Sequence, residues 1–233
     1  MQEKLGDGTN PIKRKLNVFF ILDKSGSMFG ERIAALNDAI SVTANALKEV
    51  EANNPYLRIV IKIIEFSSKA ELTNGAEGQD LDNFNWRDIT AEGYTVTASA
   101  INLLCDQLSI ELMPRRGYPP VCVLVSDGYC TEKDESYNAA IARLNHNPWG
   151  RKAARIVISI GNDLDEKALR MFVNERGAYI NCQSATDIIN YIRLTSTEAT
   201  LSQSKSKEQD YFNQEKSYDN TGSKESINLN EVF

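Results

Sequence analysis

The sequence has a single histidine, His146, and four cysteines, none in CxxC spacing. Cys105, Cys122, Cys130 and Cys182 fall mostly inside apolar runs. They read as small buried hydrophobes in a reducing cytosol, not as a zinc site or a disulfide framework. No apolar stretch approaches ~18 residues, so no membrane span is expected. The first residues, "MQEKLGDGTNPIKRK", lack the apolar segment of a secretory signal. A cytoplasmic location is the expectation. Positive charge is in deficit: 26 Lys and Arg against 32 Asp and Glu, a net charge of −6. That balance argues against non-specific binding to nucleic acid or anionic lipid. Neither GxxxxGK[ST] nor GxGxxG occurs, which removes the two common phosphate-cradling loops.

What is present is alternation. The continuous apolar runs "LNVFFIL" (16–22), "LRIVIKIIEF" (57–66), "PVCVLVS" (120–126) and "ARIVISIG" (154–161) mark strands buried on both faces. "KAEL" (69–72) reads as a short edge strand after a turn at Ser67-Ser68. A further strand is expected near Phe84–Ile89, and a last short one at 178–182. Helical spacing covers 31–50, where Ile33, Leu36, Ile40, Ala44 and Leu47 form a stripe. It recurs over 97–112, 133–145, 165–175 and 184–195, and Gly177 reads as a helix stop. Strands alternating with helices predict an α/β fold. Its doubly wound, Rossmann-like sheet should be mostly parallel, with one short antiparallel edge strand and helices on both faces.

In such a sheet, ligands bind beyond the carboxyl ends of the strands, where strand order reverses. The stretch "ILDKSGSMFG" (21–30) places Asp23, Ser25 and Ser27 there. "SDGYC" puts Asp127 after the strand 120–126, and "EGYT" puts Thr95 before the helix starting at 97. All five offer oxygen, which suits magnesium, calcium or manganese better than zinc or copper. The plain alternative is that these serines and aspartates cap helices or close turns.

The three pieces "DKSGS", "GYT" and "SDG" together resemble the von Willebrand factor A domain and its metal-ion-dependent adhesion site. The resemblance spans about residues 15–197. "DKSGSM" and "LVSDG" look most like the intracellular bacterial branch, including TerY-like proteins of tellurite-resistance clusters. The resemblance implies that Asp23, Ser25, Ser27, Thr95 and Asp127 hold Mg2+, with Mn2+ or Ca2+ as alternatives. A Glu or Asp from a protein partner would complete the ion's shell. Phe29 and Tyr94 would flank the site and touch that partner. The implied function is a non-enzymatic, metal-dependent interaction module in a bacterial stress-response system, with a kinase or phosphatase as partner. Alternatives are a magnesium-dependent phosphohydrolase and a subunit assisting an AAA+ ATPase. The haloacid dehalogenase pattern is Asp-x-Asp, and here Ser25 stands at its second position with no general acid. A serine hydrolase would need His146, which ends a helix at the opposite end of the sheet.

Residues 1–14 read as an N-terminal extension, 15–198 as the domain and 199–233 as a disordered tail. "SQSKSKEQDYFNQEKSYDNTGSKES" buries too little to offset the entropy of ordering it. A chain ending near Thr200 is therefore expected to melt at the temperature of the full chain. A large drop in a thermal melt would show instead that the tail packs on the domain.

Overall fold

The computed structural model describes residues 12–113, 116–128, 132–161 and 165–182. The expected helix 184–195, the tail, Cys130 and most of the N-terminal extension lie outside the described residues. Four long strands form the centre of one sheet. They are β1 (Arg14–Asp23), β2 (Leu57–Phe66), β5 (Val121–Ser126) and β6 (Ala154–Ile160). β3 (Ala70–Leu72) and β7 (Tyr179–Cys182) are its edges, giving the order β3-β2-β1-β5-β6-β7. All neighbours are parallel except β3, which pairs antiparallel with β2 as the hairpin signal predicted. A two-residue strand β4 (Gln79–Asp80) also lies antiparallel on β2.

The apolar runs behave as doubly buried strands because successive side chains point to opposite faces. Leu16, Val18, Phe20 and Leu22 of β1 face α1 (Glu31–Ala52), meeting the stripe Leu36, Ile40, Ala44 and Leu47. Phe19 and Ile21 face the other way. They pack with Ile101 and Leu104 of α2 (Thr97–Gln107) and with Ile141 and Leu144 of α3 (Asp134–His146). Asn147 caps the next short helix, α4 (Pro148–Lys152), accepting from the Trp149 and Gly150 amides at 2.9 Å each. Trp149 packs against the second core, as a turn-pinning side chain should.

Three local expectations are corrected. Residues 84–89 form no strand. Asn37 of α1 takes both backbone groups of Ile89, at 3.0 Å each, and occupies the bonds that a ladder would need. The helix expected over 165–175 is only α5 (Glu166–Arg170), because the chain turns at 171–172 to bury Phe172. Gly177 does not stop a helix. A Cβ there would lie 1.8 Å from the Arg155 carbonyl oxygen, so its role is close backbone approach.

The second face holds an unusual burial. Arg155 of β6 is 5 % exposed, and its Nε and Nη1 have no hydrogen-bond partner among the described residues. Burial pushes this guanidinium below its ordinary value, and the nearby Cys122 and Cys105 thiols oppose that only in part. A buried cation without compensation opposes folding. Arg155→Met is expected to stabilise the domain by about 1–3 kcal/mol, a rise of several degrees in melting temperature. An unchanged or lower melting temperature would show that the guanidinium is solvated or paired in solution.

Candidate metal centre

β1 lies between β2 and β5, so strand order reverses at its side. The loops leaving β1 and β5 open together at the carboxyl ends of the strands. Asp23 is the last residue of β1 and Ser126 the last of β5. The Ser126 hydroxyl donates to Asp23 Oδ2 at 2.6 Å and accepts from the Gly128 amide at 3.0 Å. Asp23 Oδ1 accepts from the Ser25 amide at 2.9 Å. After Ser25 the chain makes a 3-10 turn (Gly26–Met28), with Met28 buried beneath it as core filler. The turn brings Ser25 Oγ and Ser27 Oγ to 3.0 Å. Gly30, at φ +84°, then turns the chain into α1.

Thr95 reaches the same place by backbone contacts. The Gly26 amide donates to the Gly93 carbonyl at 2.9 Å, and the Glu92 amide to the Lys24 carbonyl at 2.7 Å. The Val96 amide donates to the Ser67 carbonyl at 3.0 Å. Gly93 is required by its backbone, and Gly26 sits in a tight contact. A Cβ on Gly26 would stand 3.2 Å from the Gly93 oxygen, and one on Gly93, at φ +77°, 2.7 Å from Ser68 Oγ. Thr95 is thus buried between the loops that follow β1 and β2. Asp127, fully buried, accepts from Arg32 Nη1 at 2.7 Å, and the same nitrogen donates to the Ser27 carbonyl at 3.1 Å.

All five residues anticipated from the sequence therefore lie at one end of the sheet. Asp23, Ser25 and Ser27 form one hydrogen-bonded array. Asp127 joins it through Ser126 and Arg32, and Thr95 through the glycine contact. Asp23, Ser25, Thr95 and Asp127 are buried while Ser27 is exposed, so the site opens on the Ser27 side. Phe29 and Tyr94 stand in solvent at 81 % and 73 % exposure. His146 is exposed at the end of α3, at the other end of the sheet. Asp165 caps α5, accepting from the Ala168 amide at 3.1 Å.

Helix capping does not account for Ser25, whereas Asp23 does close a turn by accepting from the Ser25 amide. The caps before the 3-10 turn, α1 and α2 are Ser25, Gly30 and Val96, and none makes a side-chain capping bond. Sequence reasoning missed Ser126, Gly93 and Arg32. The signal for Arg32 was its place in the first turn of a helix, where the macrodipole disfavours a cation.

The donor set is two carboxylates and three hydroxyls. Among the described residues no cluster of three or more His, Cys, Asp or Glu side chains is placed to hold a metal. Asp23 is the telling group. It is fully buried, and among the described residues no ion pair reaches it. Lys24 turns instead to Glu65 and Glu92, at 3.4 and 3.5 Å. Burial pushes the Asp23 carboxyl from 3.8 up to about 6, against the hydrogen bonds from Ser126 and Ser25; Asp127 adds a little to the rise. A hard divalent cation would supply the missing charge, so the oxygen-only set fits such an ion.

A doubly wound α/β domain with a hydroxyl-and-carboxylate site at its switch point is the class that this geometry defines. The model of the von Willebrand factor type A domain matches residues 17–193, and the chain belongs to that family. Solved structures agree on the fold. A von Willebrand factor type A protein from Catenulispora acidiphila is 16 % identical with a TM-score of 0.60, over 80 % of this chain and 43 % of that one. BatB from Bacteroides thetaiotaomicron is 15 % identical with a TM-score of 0.54, over 79 % of this chain and 98 % of that one. Proximal thread matrix protein 1 from the mussel byssus has a structure with a zinc-occupied MIDAS motif. It is 11 % identical with a TM-score of 0.53, over 79 % of this chain and 48 % of that one. The chain thus spans less than half of two of these three proteins. Comparison with curated proteins finds no match.

The buried carboxylate has a measurable consequence. Because its folded value lies above the unfolded one, the neutral form is favoured by folding. That stability is fully present below about pH 4 and is lost as pH rises through about 6. At pH 7 and without an ion, the ionised group costs about 3 kcal/mol, at ~1.4 kcal/mol per pKa unit. In chelator at pH 7, Asp23→Asn is expected to melt above the wild type, and the gap should close near pH 4. A lower melting temperature for Asp23→Asn at pH 7 would contradict this.

Proposed function

We propose that this chain is a metal-dependent protein-interaction module without catalytic activity. Asp23, Ser25, Ser27, Thr95 and Asp127 hold a divalent ion, Mg2+ first, with Mn2+ or Ca2+ as alternatives. The observation that carries the reading is Asp23: a buried carboxylate with no cationic partner among the described residues, beside the paired Ser25 and Ser27 hydroxyls. The hydroxyls add no charge and Asp127 is paired with Arg32, so a bound ion is only partly neutralised. Magnesium keeps exchangeable waters that an incoming carboxylate can displace. A Glu or Asp from a partner protein takes that position on the Ser27 side.

One ion contact cannot make a specific complex, and a few apolar anchors ordinarily supply most of the rest. Phe29 and Tyr94, both exposed beside the loops that carry the ligands, are those anchors. The partner in this reading belongs to a bacterial stress-response or tellurite-resistance type of system and is a kinase or phosphatase. The support is the "DKSGSM" and "LVSDG" wording of the sequence. A cytoplasmic setting is part of this reading; among the described residues no helix is long and apolar enough to cross a membrane.

An ion that binds only the folded state raises stability by mass action. Millimolar Mg2+ or Mn2+ should raise the melting temperature of the wild type and leave that of Asp23→Ala unmoved. Zn2+ and Ca2+ belong in the same series. A partner captured from lysate should dissociate in EDTA and return with Mg2+. Ser25→Ala and Thr95→Ala should weaken it without unfolding the domain. Wild type and Asp23→Ala melting alike with and without every ion would sink the reading.

A further inference from the structure

Arg32 is built into the site from three sides. Its Nη1 bonds Asp127 and the Ser27 carbonyl, on the loops after β5 and β1. Its guanidinium also lies on Gly161, just past β6. A Cβ there would come to 3.0 Å from Nε, 3.3 Å from Cζ and 3.4 Å from Nη2. A bare glycine at φ +113° thus forms the seat of a planar cation. The side chain is 29 % exposed, facing a fully buried Asp127. Its own helix works against it, since it stands in the first turn of α1. Local preference therefore does not explain an arginine here; the contact with Asp127 does.

The charge count shows what the contact does. Asp23, Asp127 and Arg32 together carry one net negative charge, and a divalent ion turns that into one net positive charge. Without Arg32 the two carboxylates would leave the loaded site neutral. We propose that Arg32 sets the charge of the site. By neutralising Asp127 it trades away affinity for the ion, and it keeps the loaded site cationic enough to take a partner's carboxylate. This rests on the metal reading of the five residues and adds a specificity-determining role for a sixth.

The test uses the full chain, with Mn2+ as ion and acetate as carboxylate. Calorimetry measures Mn2+ affinity, and water-proton relaxation of the Mn2+-loaded protein reports water displaced by acetate. Arg32→Met should bind Mn2+ on the order of tenfold more tightly, since a like charge beside the ion is gone. Its affinity for acetate should fall several-fold. Arg32→Lys, which keeps the charge and loses the planar fork, should stay near wild type in both. Arg32→Gln replaces Arg32→Met if melting shows the latter unfolded. If Arg32→Lys and Arg32→Met both bind Mn2+ more weakly, the residue only aims Asp127 and the proposal is overturned. Equal affinities in all variants also overturn it. Asp23→Ala separates the layers. If wild type binds Mn2+ and Asp23→Ala does not, the metal reading stands whatever Arg32 does. If wild type takes no Mn2+, both readings fall.

Discussion

The end of the sheet is organised around a carboxylate buried where no side-chain cation meets it among the described residues. Asp23 closes a strand that is otherwise apolar on both faces, so its charge is brought to the margin of the hydrophobic core. Two hydrogen bonds hold its oxygens, one from the Ser25 amide and one from the Ser126 hydroxyl. Each such bond is worth about 1–3 kcal/mol when one partner is charged, less than the desolvation cost of a lone buried ion. Lys24 leaves that deficit standing by pairing with Glu65 and Glu92, and Ser126 meets the second oxygen with a neutral hydroxyl. A site with unmet negative charge at its floor suits a cation, and the surrounding hydroxyls provide oxygens without adding further charge.

Precision here comes from backbone contacts. The loop after β1 and the loop before α2 are joined by amide-to-carbonyl bonds at Gly26–Gly93 and Glu92–Lys24. Such bonds hold two chain segments at a fixed spacing with no rotamer freedom to lose. The glycines matter because a side chain at Gly26 would crowd the Gly93 carbonyl, and one at Gly93 would crowd Ser68 in a backbone conformation that side chains rarely adopt. Thr95 owes its position to this joint, although it is 68 residues from Ser27 in sequence.

The fold was legible because each central strand buries both faces, and a run such as "LNVFFIL" has few other uses. The five candidate ligands were legible because each stands immediately beyond a strand or before a helix, where topology alone brings them together. What was not legible depended on tertiary partners. Residues 84–89 have strand-like composition, yet Asn37 takes the backbone groups of Ile89 from a helix about 50 residues away. Gly177 looks like any helix stop until the Arg155 carbonyl is seen against it. Ser126 hid behind its neighbour: "SDG" draws the eye to the aspartate, while register with β1 decides that the serine meets Asp23. Arg32 had only a negative signal, a cation at the wrong end of a helix.

The two carboxylates of the site are alike in burial and opposite in electrical condition. Asp127 has a guanidinium at 2.7 Å, whereas Asp23 has hydrogen bonds and no ion pair among the described residues. The field at the opening is therefore asymmetric, with attraction for a cation concentrated on the β1 side. Ser27 is the exposed member of the five, and its carbonyl is held by the same Arg32 that neutralises Asp127. The rim that a partner would meet is thus tied to the arginine that pairs with Asp127. In the proposed complex an incoming carboxylate would meet the arginine and the accessible hydroxyl on one side, with the exposed aromatics Phe29 and Tyr94 flanking. Charge would then govern whether an acidic group approaches, and apolar contact which one stays. Such a division would let the ion site remain unchanged while the rim residues change their choice of partner.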